Sequence, residues 1–99
     1  MYIIEQTQTF RDWLPALRDK QATARITSRI ERAQAGNLGD IKPVGEGISE
    51  MRVAYGPGYR IYVVKRGKRL LVLLCGGDKS TQDADIARAK RLAHQWRDG

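Results

Sequence analysis

Apolar residues recur along this chain at two different spacings, which divide it into helical and extended segments. Near the start, "YIIEQ" carries the β-branched and aromatic residues of a short strand. Phe10, Trp13, Leu14 and Leu17 then fall at i, i+3, i+4 and i+7, one face of a helix. Thr9 is placed to cap that helix, with Asp12 at the capping-box position. Pro15 lacks a backbone donor and crowds the carbonyl of Arg11, which predicts a short or bent helix. A stronger helix follows in "DKQATARITSRIERAQAGN": Asp19 caps it, Ala22, Ile26, Ile30 and Ala33 form its buried stripe, and Gly36-Asn37 stops it. Arg25, Arg29 and Arg32 make a second stripe about 100° round this helix, either a solvated face or a contact for a partner.

Residues 36–47 are rich in glycine and polar side chains and read as an ordered connection, too short for a domain linker. Beyond them the period falls to two, predicting strands at residues 48–54, 59–66 and 69–75, joined by "YGPG" and "RGK" into an antiparallel meander. Alternation puts Met51, Val53, Ile61 and Val63 on one face, towards the core, and Glu50, Arg52, Arg60 and Tyr62 on the other, towards water. The third strand is apolar on both faces, as expected of a central strand covered by a helix. After Gly76-Gly77, Ser80 or Thr81 can cap a last helix. Asp83 and Asp85 stand in its first turn, and Ile86, Ala89, Ala93 and Trp96 form its apolar side. The expected architecture is one α+β domain over residues 1–99. Two N-terminal helices lie on a small, mostly antiparallel four-stranded sheet, and a C-terminal helix is added.

The charge balance bears on the partner. Eighteen Lys and Arg against eleven Asp and Glu give +7. Up to Ser49 there are seven cations and six anions, and after it eleven and five, so the two parts carry +1 and +6. Such an imbalance favours a polyanionic partner, nucleic acid before an acidic protein or an anionic membrane. Cys75, the single cysteine, lies in "LLVLLC" and reads as a small buried hydrophobe. "MYIIEQTQTF" lacks the basic and apolar regions of a signal peptide and "LLVLLC" is too short for a bilayer, so a cytoplasmic protein is expected.

Much chemistry can be set aside. One Cys, one His and scattered carboxylates do not supply metal-ligand spacing, His94 reads as a surface helix residue, and no Ser or Cys is signalled as its nucleophilic partner. "GGDKS" lacks the spacing of a phosphate loop. What remains is Arg52, Arg60, Tyr62 and Lys79, with Glu50 and Asp78 at the margin. Guanidinium groups bind phosphate oxygens bidentately and stabilise a phosphorane-like transition state, so such a face suits RNA. Lys65, Lys68 and Arg69 around the hairpin, with Arg25 and Arg29 on the helix, extend the candidate RNA contacts.

The ordered series "GD.K..G.G..E.R", "GPGYR.Y" and "GGDKSTQ.AD" resembles the RelE/ParE superfamily of type II toxins, in particular its HigB-like branch of phage-related addiction module killer proteins. The likeness runs from Tyr2 to Trp96. It implies a RelE-like fold and a ribosome-dependent mRNA endonuclease that needs neither metal nor cofactor. In that scheme a 2'-hydroxyl attacks the neighbouring phosphate and leaves a 2',3'-cyclic phosphate and a 5'-hydroxyl. By resemblance Arg60 matches the catalytic arginine, Arg52 a basic residue of the preceding strand, and Lys79 the basic residue after the last strand. Implied partners are the ribosome, mRNA and a cognate antitoxin of helix-turn-helix type, with no membrane. Glu50 replaces a second basic position, either as general base or as an ion-pair partner of Arg52, and "DAD" replaces a C-terminal Tyr or His. A ParE-like inhibitor of DNA gyrase and a catalytically inactive RNA-binding or interaction module are the alternatives.

Overall fold

A computed structural model of the chain describes residues 1–96; the last three residues of the expected domain lie outside them. The chain runs β1 (Ile3–Gln6), α1 (Gln8–Ala16), α2 (Lys20–Gln34), β2 (Ile41–Gly45), β3 (Ile48–Val53), β4 (Tyr59–Arg66), β5 (Leu70–Asp78), a 3-10 turn (Lys79–Thr81) and α3 (Gln82–Gln95). The strands form one mixed sheet in the order β1-β5-β4-β3-β2, with β1 parallel to β5 and the other pairs antiparallel. The class is α+β, but the sheet has five strands where four were expected. The additional strand, β2, falls within the segment read as a connection. It pairs only with β3, and at such an edge Pro43 needs no ladder partner for its missing N–H.

Helix starts follow local hydrogen bonding. Thr7, not Thr9, caps α1: its hydroxyl accepts from Phe10 N–H at 3.1 Å and donates to the Leu74 carbonyl at 2.5 Å, tying the helix start to β5. The helix ends at Ala16, one residue after Pro15, so the proline stands in its last turn. Asp19 caps α2 as expected, accepting from Gln21 and Ala22 N–H, and Gly36 leaves the helix with φ +104°.

The helices cover both faces of the sheet. Against α1 and α2 pack Met51, Val53, Ile61, Val63, Leu71 and Leu73, the face that alternation assigns to the core. On β3 and β4 the opposite face was expected to meet water, but α3, the helix expected to cover β5, lies across it as well and buries Ile48, Tyr62 and Val64 with Val72, Leu74 and Cys75. A bulge opposite Tyr62 and Val63 inserts Leu74, so that Leu74 and Cys75 both join the α3 side. Gly76 and Gly77 continue β5 rather than end it. A Cβ at Gly76 would overlap the Trp13 ring from α1, and one at Gly77 the Asp85 carboxylate from α3, so the pair admits a helix on each face.

Candidate functional site

Pairing of β3, β4 and β5 places Arg52 opposite Arg60, Glu50 opposite Tyr62, and Arg60 opposite Gly77. Glu50 is at the centre, with its side chain 2% exposed. Arg60 Nε donates to Glu50 Oε2 at 3.3 Å, Arg52 Nε lies 3.5 Å from the same oxygen, and Gln82 Nε2 of α3 donates to Oε1 at 2.8 Å. Burying a carboxylate is costly unless cations and hydrogen-bond donors replace water, and here two guanidiniums and an amide do so. Both Glu50 oxygens are therefore engaged. Of the two roles left open for Glu50, the geometry is that of an ion pair, and it joins Arg60 as well as Arg52.

Arg60 is not the outward side chain that alternation implied. It is 11% exposed, and its Nη1 donates to the Gly58 carbonyl at 2.9 Å. None of the hydrogen bonds among the described residues engages its Nη2. A Cβ at Gly58 would stand 3.5 Å from Arg60 Nη1 and 3.8 Å from Lys79 Cβ, so the arginine and the exposed lysine flank this glycine. Arg52 is 39% exposed and reaches the rim. Asp78 accepts from Ser80 N–H at 2.8 Å, and the Ser80 hydrogen bonds hold its carboxyl below the usual range. Segments far apart in sequence, at residues 50–52, 58–60 and 79–82, thus meet at one cluster.

Other expected contacts lie elsewhere. Tyr62 is fully buried beneath α3, not on a water-facing RNA surface. Burial, then the charges of Glu50 and Asp85, raises its phenol well above the ordinary value, and its hydroxyl has no hydrogen-bond partner among the described residues. Arg29 is also buried, 5% exposed, with Nη2 donating to the Asp40 carbonyl at 3.0 Å. It is neither a solvated nor a freely accessible side chain. Gly39, at φ +60°, makes this possible, because a Cβ there would lie 2.7 Å from the guanidinium. Arg25 stays exposed, 4.7 Å over the Tyr55 ring. Lys65, Lys68 and Arg69 are exposed at the opposite end of the β4-β5 hairpin. From Arg60 to Lys65 is five residues of strand, roughly 17 Å, so these cations do not join the Glu50 cluster.

Gln82 and Asp85 are structural partners that sequence reasoning missed. Asp85 stands in the first turn of α3 as expected, but it is 5% exposed and accepts from the Thr81 hydroxyl beside Gly77. The available signal was the adjacent glycine pair, which marks a close approach. Cys75 is buried with its thiol pushed up to about 12, chiefly by desolvation and next by Asp85. His94 is exposed, 3.3 Å from Glu46. Among the described residues no three His, Cys, Asp or Glu side chains come together as a metal site, and no helix is long and apolar enough to cross a membrane.

Comparison with known proteins found no matching family model and no matching solved structure. The chain is 52% identical over 92 residues to an uncharacterized protein of Haemophilus influenzae, an alignment covering 93% of each.

Proposed function

We propose that this chain, which belongs to one family with the Haemophilus influenzae protein, is a type II toxin of the RelE/ParE superfamily, HigB-like branch. Its activity is cytoplasmic, ribosome-dependent cleavage of mRNA. The observation that carries this reading is the meeting of Glu50, Arg52 and Arg60 on adjacent strands in one partly open cluster, with Lys79 flanking it beside Gly58. Glu50 holds Arg60 at Nε, and the Gly58 carbonyl holds it at Nη1, which leaves the Nη2 edge in a fixed direction for a phosphate. A donor already oriented before reaction needs no reorganisation as charge develops, which is how electrostatic stabilisation accelerates phosphoryl chemistry. The 2'-oxygen bonds to phosphorus and the P–O5' bond breaks. Arg60 takes the negative charge of the non-bridging oxygens, while Arg52 and Lys79 hold the flanking strand. The 2'-hydroxyl proton leaves to water or to a ribosomal group, and O5' gains one. Glu50 is a positioning residue in this scheme.

A second reading has one observation in its favour: α3 lies over the sheet and its Gln82 occupies Glu50. That suits a binding protein without catalysis, either a ParE-like gyrase inhibitor or an inactive module. Induction in bacteria separates the three, with mRNA 5' ends mapped while DNA breaks are followed. Ribosome-phased cuts are expected. An SOS response with intact mRNA would replace the nuclease by the gyrase reading, and harmless expression would leave the module. The proposed restraint is a small helix-turn-helix antitoxin, and co-expression with the neighbouring open reading frame should restore growth.

A further inference from the structure

The second basic feature of the molecule lies beyond the first residue of β2, where the end of β3 runs beside α2. A groove of about 300 Å³ opens there, lined by Arg25, Ser28, Arg29, Arg32, Arg52, Val53 and Ala54. Four of its seven residues are arginines. None of the ion pairs among the described residues involves Arg25, Arg29 or Arg32; of the four, Arg52 alone is paired, with Glu50 at 3.5 Å and, at the rim, with the 66% exposed Asp40 at 3.9 Å. Burial chiefly, and then the charge of Arg32, lowers the Arg29 guanidinium from the ordinary value, with Asp40 offsetting part of that. Like charges gathered with so little compensation repel one another, and an anion brought into the groove relieves that repulsion.

We infer that this groove is a phosphodiester-binding subsite that holds a single-stranded RNA backbone next to the Glu50 cluster. Arg52 joins the two, since it lines the groove and lies 3.5 Å from Glu50. The inference rests on the RNA reading of that cluster and adds the path of the strand leading to it. An acidic peptide is the less suitable occupant. Peptides dock on an unpaired strand edge or an apolar stripe. Here the edge of β3 beyond Met51 is only two residues long and its Arg52 N–H already donates to the Asp40 carbonyl at 2.9 Å, while the stripe of α2 is buried against the sheet. The groove offers guanidiniums and one hydroxyl, the donors that a phosphate uses. Arg29, buried and held by the Asp40 carbonyl beside Gly39, contributes a fixed charge to the groove, while the exposed Arg25 and Arg32 supply its accessible donors.

The test is binding of short, 2'-O-methylated single-stranded RNA, which cannot be cut by 2'-oxygen attack, by fluorescence anisotropy over a range of salt. The wild-type chain is compared with Arg25→Gln/Arg32→Gln, both exposed positions, with thermal melting to check folding. Each lost phosphate contact lowers the magnitude of the slope of log K against log salt by about 0.7, so the double variant should lose roughly 1.4. Its affinity should fall tenfold or more, on the order expected for charge-assisted hydrogen bonds. An unchanged slope and affinity in a folded variant overturn the subsite even if mRNA is still cut on ribosomes. If the slope changes but wild type makes no ribosome-phased cuts, the endonuclease reading fails and the subsite stands. A poly-glutamate peptide that binds the wild type more tightly than the RNA, and loses affinity in the double variant, overturns the RNA assignment in favour of an acidic protein.

Discussion

The two faces of the sheet carry the same alternation of side chains but differ in what covers them. On one face, Met51, Val53, Ile61 and Val63 meet the stripes of α1 and α2, apolar against apolar. On the other, Tyr62 sits among apolar neighbours beneath α3, with the buried Glu50 and the mostly covered Arg60 beside it. Alternation reports which residues share a face, because side chains repeat every two positions. It does not report the cover, which depends here on a helix more than twenty residues further along the chain from Arg60. A charged residue on a strand is thus compatible with burial when its partner stands on the neighbouring strand.

Variants of the charged face should separate it from the apolar one. The largest stability effect is expected from Glu50→Ala, which leaves Arg60 covered and deprived of its carboxylate. A loss of about 3 to 5 kcal/mol is the scale for breaking a buried pair, measured by denaturant unfolding; a loss within surface-mutation range would mean that the pair is solvated. Cys75 supplies a pH dependence on the same side. Its thiol is raised from 9.0 in the folded chain to about 12, so its contribution is complete below about 9 and is lost as pH rises towards 12. Thiol labelling at pH 8 should be slow until the chain unfolds, and rapid labelling of native protein would place Cys75 at the surface.

Smaller effects sharpen the contrast. Tyr62→Phe removes an unpartnered buried hydroxyl and should be neutral or stabilising by up to about 1 kcal/mol, read as an unchanged or raised melting temperature. A clear loss would show that the hydroxyl has a partner in solution. Lys79→Ala touches an exposed side chain and should move stability by less than about 0.5 kcal/mol, while mRNA cleavage slows. Cleavage at the wild-type rate would remove Lys79 from the site.

Several elements were legible because one local signal sufficed. For α2, cap, stripe and stop agreed, and β4 was bounded by its turns. What escaped was set by tertiary contact. β2 contains Pro43 and Gly45, which argue against a strand until the edge position is known. β5 outlasts its expected end because its glycines face Trp13 and Asp85 instead of turning the chain. At the site, the grouping of Glu50, Arg52 and Arg60 was readable from alternation, whereas Gln82 was not, since it arrives from α3. The basic residues also divided. Spacing along β4 could have separated Lys65 from Arg60, but total charge treats them alike.

In the proposed reaction Arg60, fixed by Glu50, stabilises charge on the phosphate that is cut. Single-turnover cleavage of mRNA on programmed ribosomes tests it most directly, with wild type beside Arg60→Lys and Arg60→Ala and melting curves for each. Arg60→Ala is expected to lose about 3 kcal/mol of stability, so the assay must run well below its melting temperature. The wild type should leave 5'-hydroxyl ends in phase with the ribosome, the alanine variant should cut roughly 10² to 10³ more slowly, and lysine should recover part of the loss without the bidentate fork. A folded Arg60→Ala protein that cuts at the wild-type rate, or a wild type that leaves mRNA intact, would contradict the account.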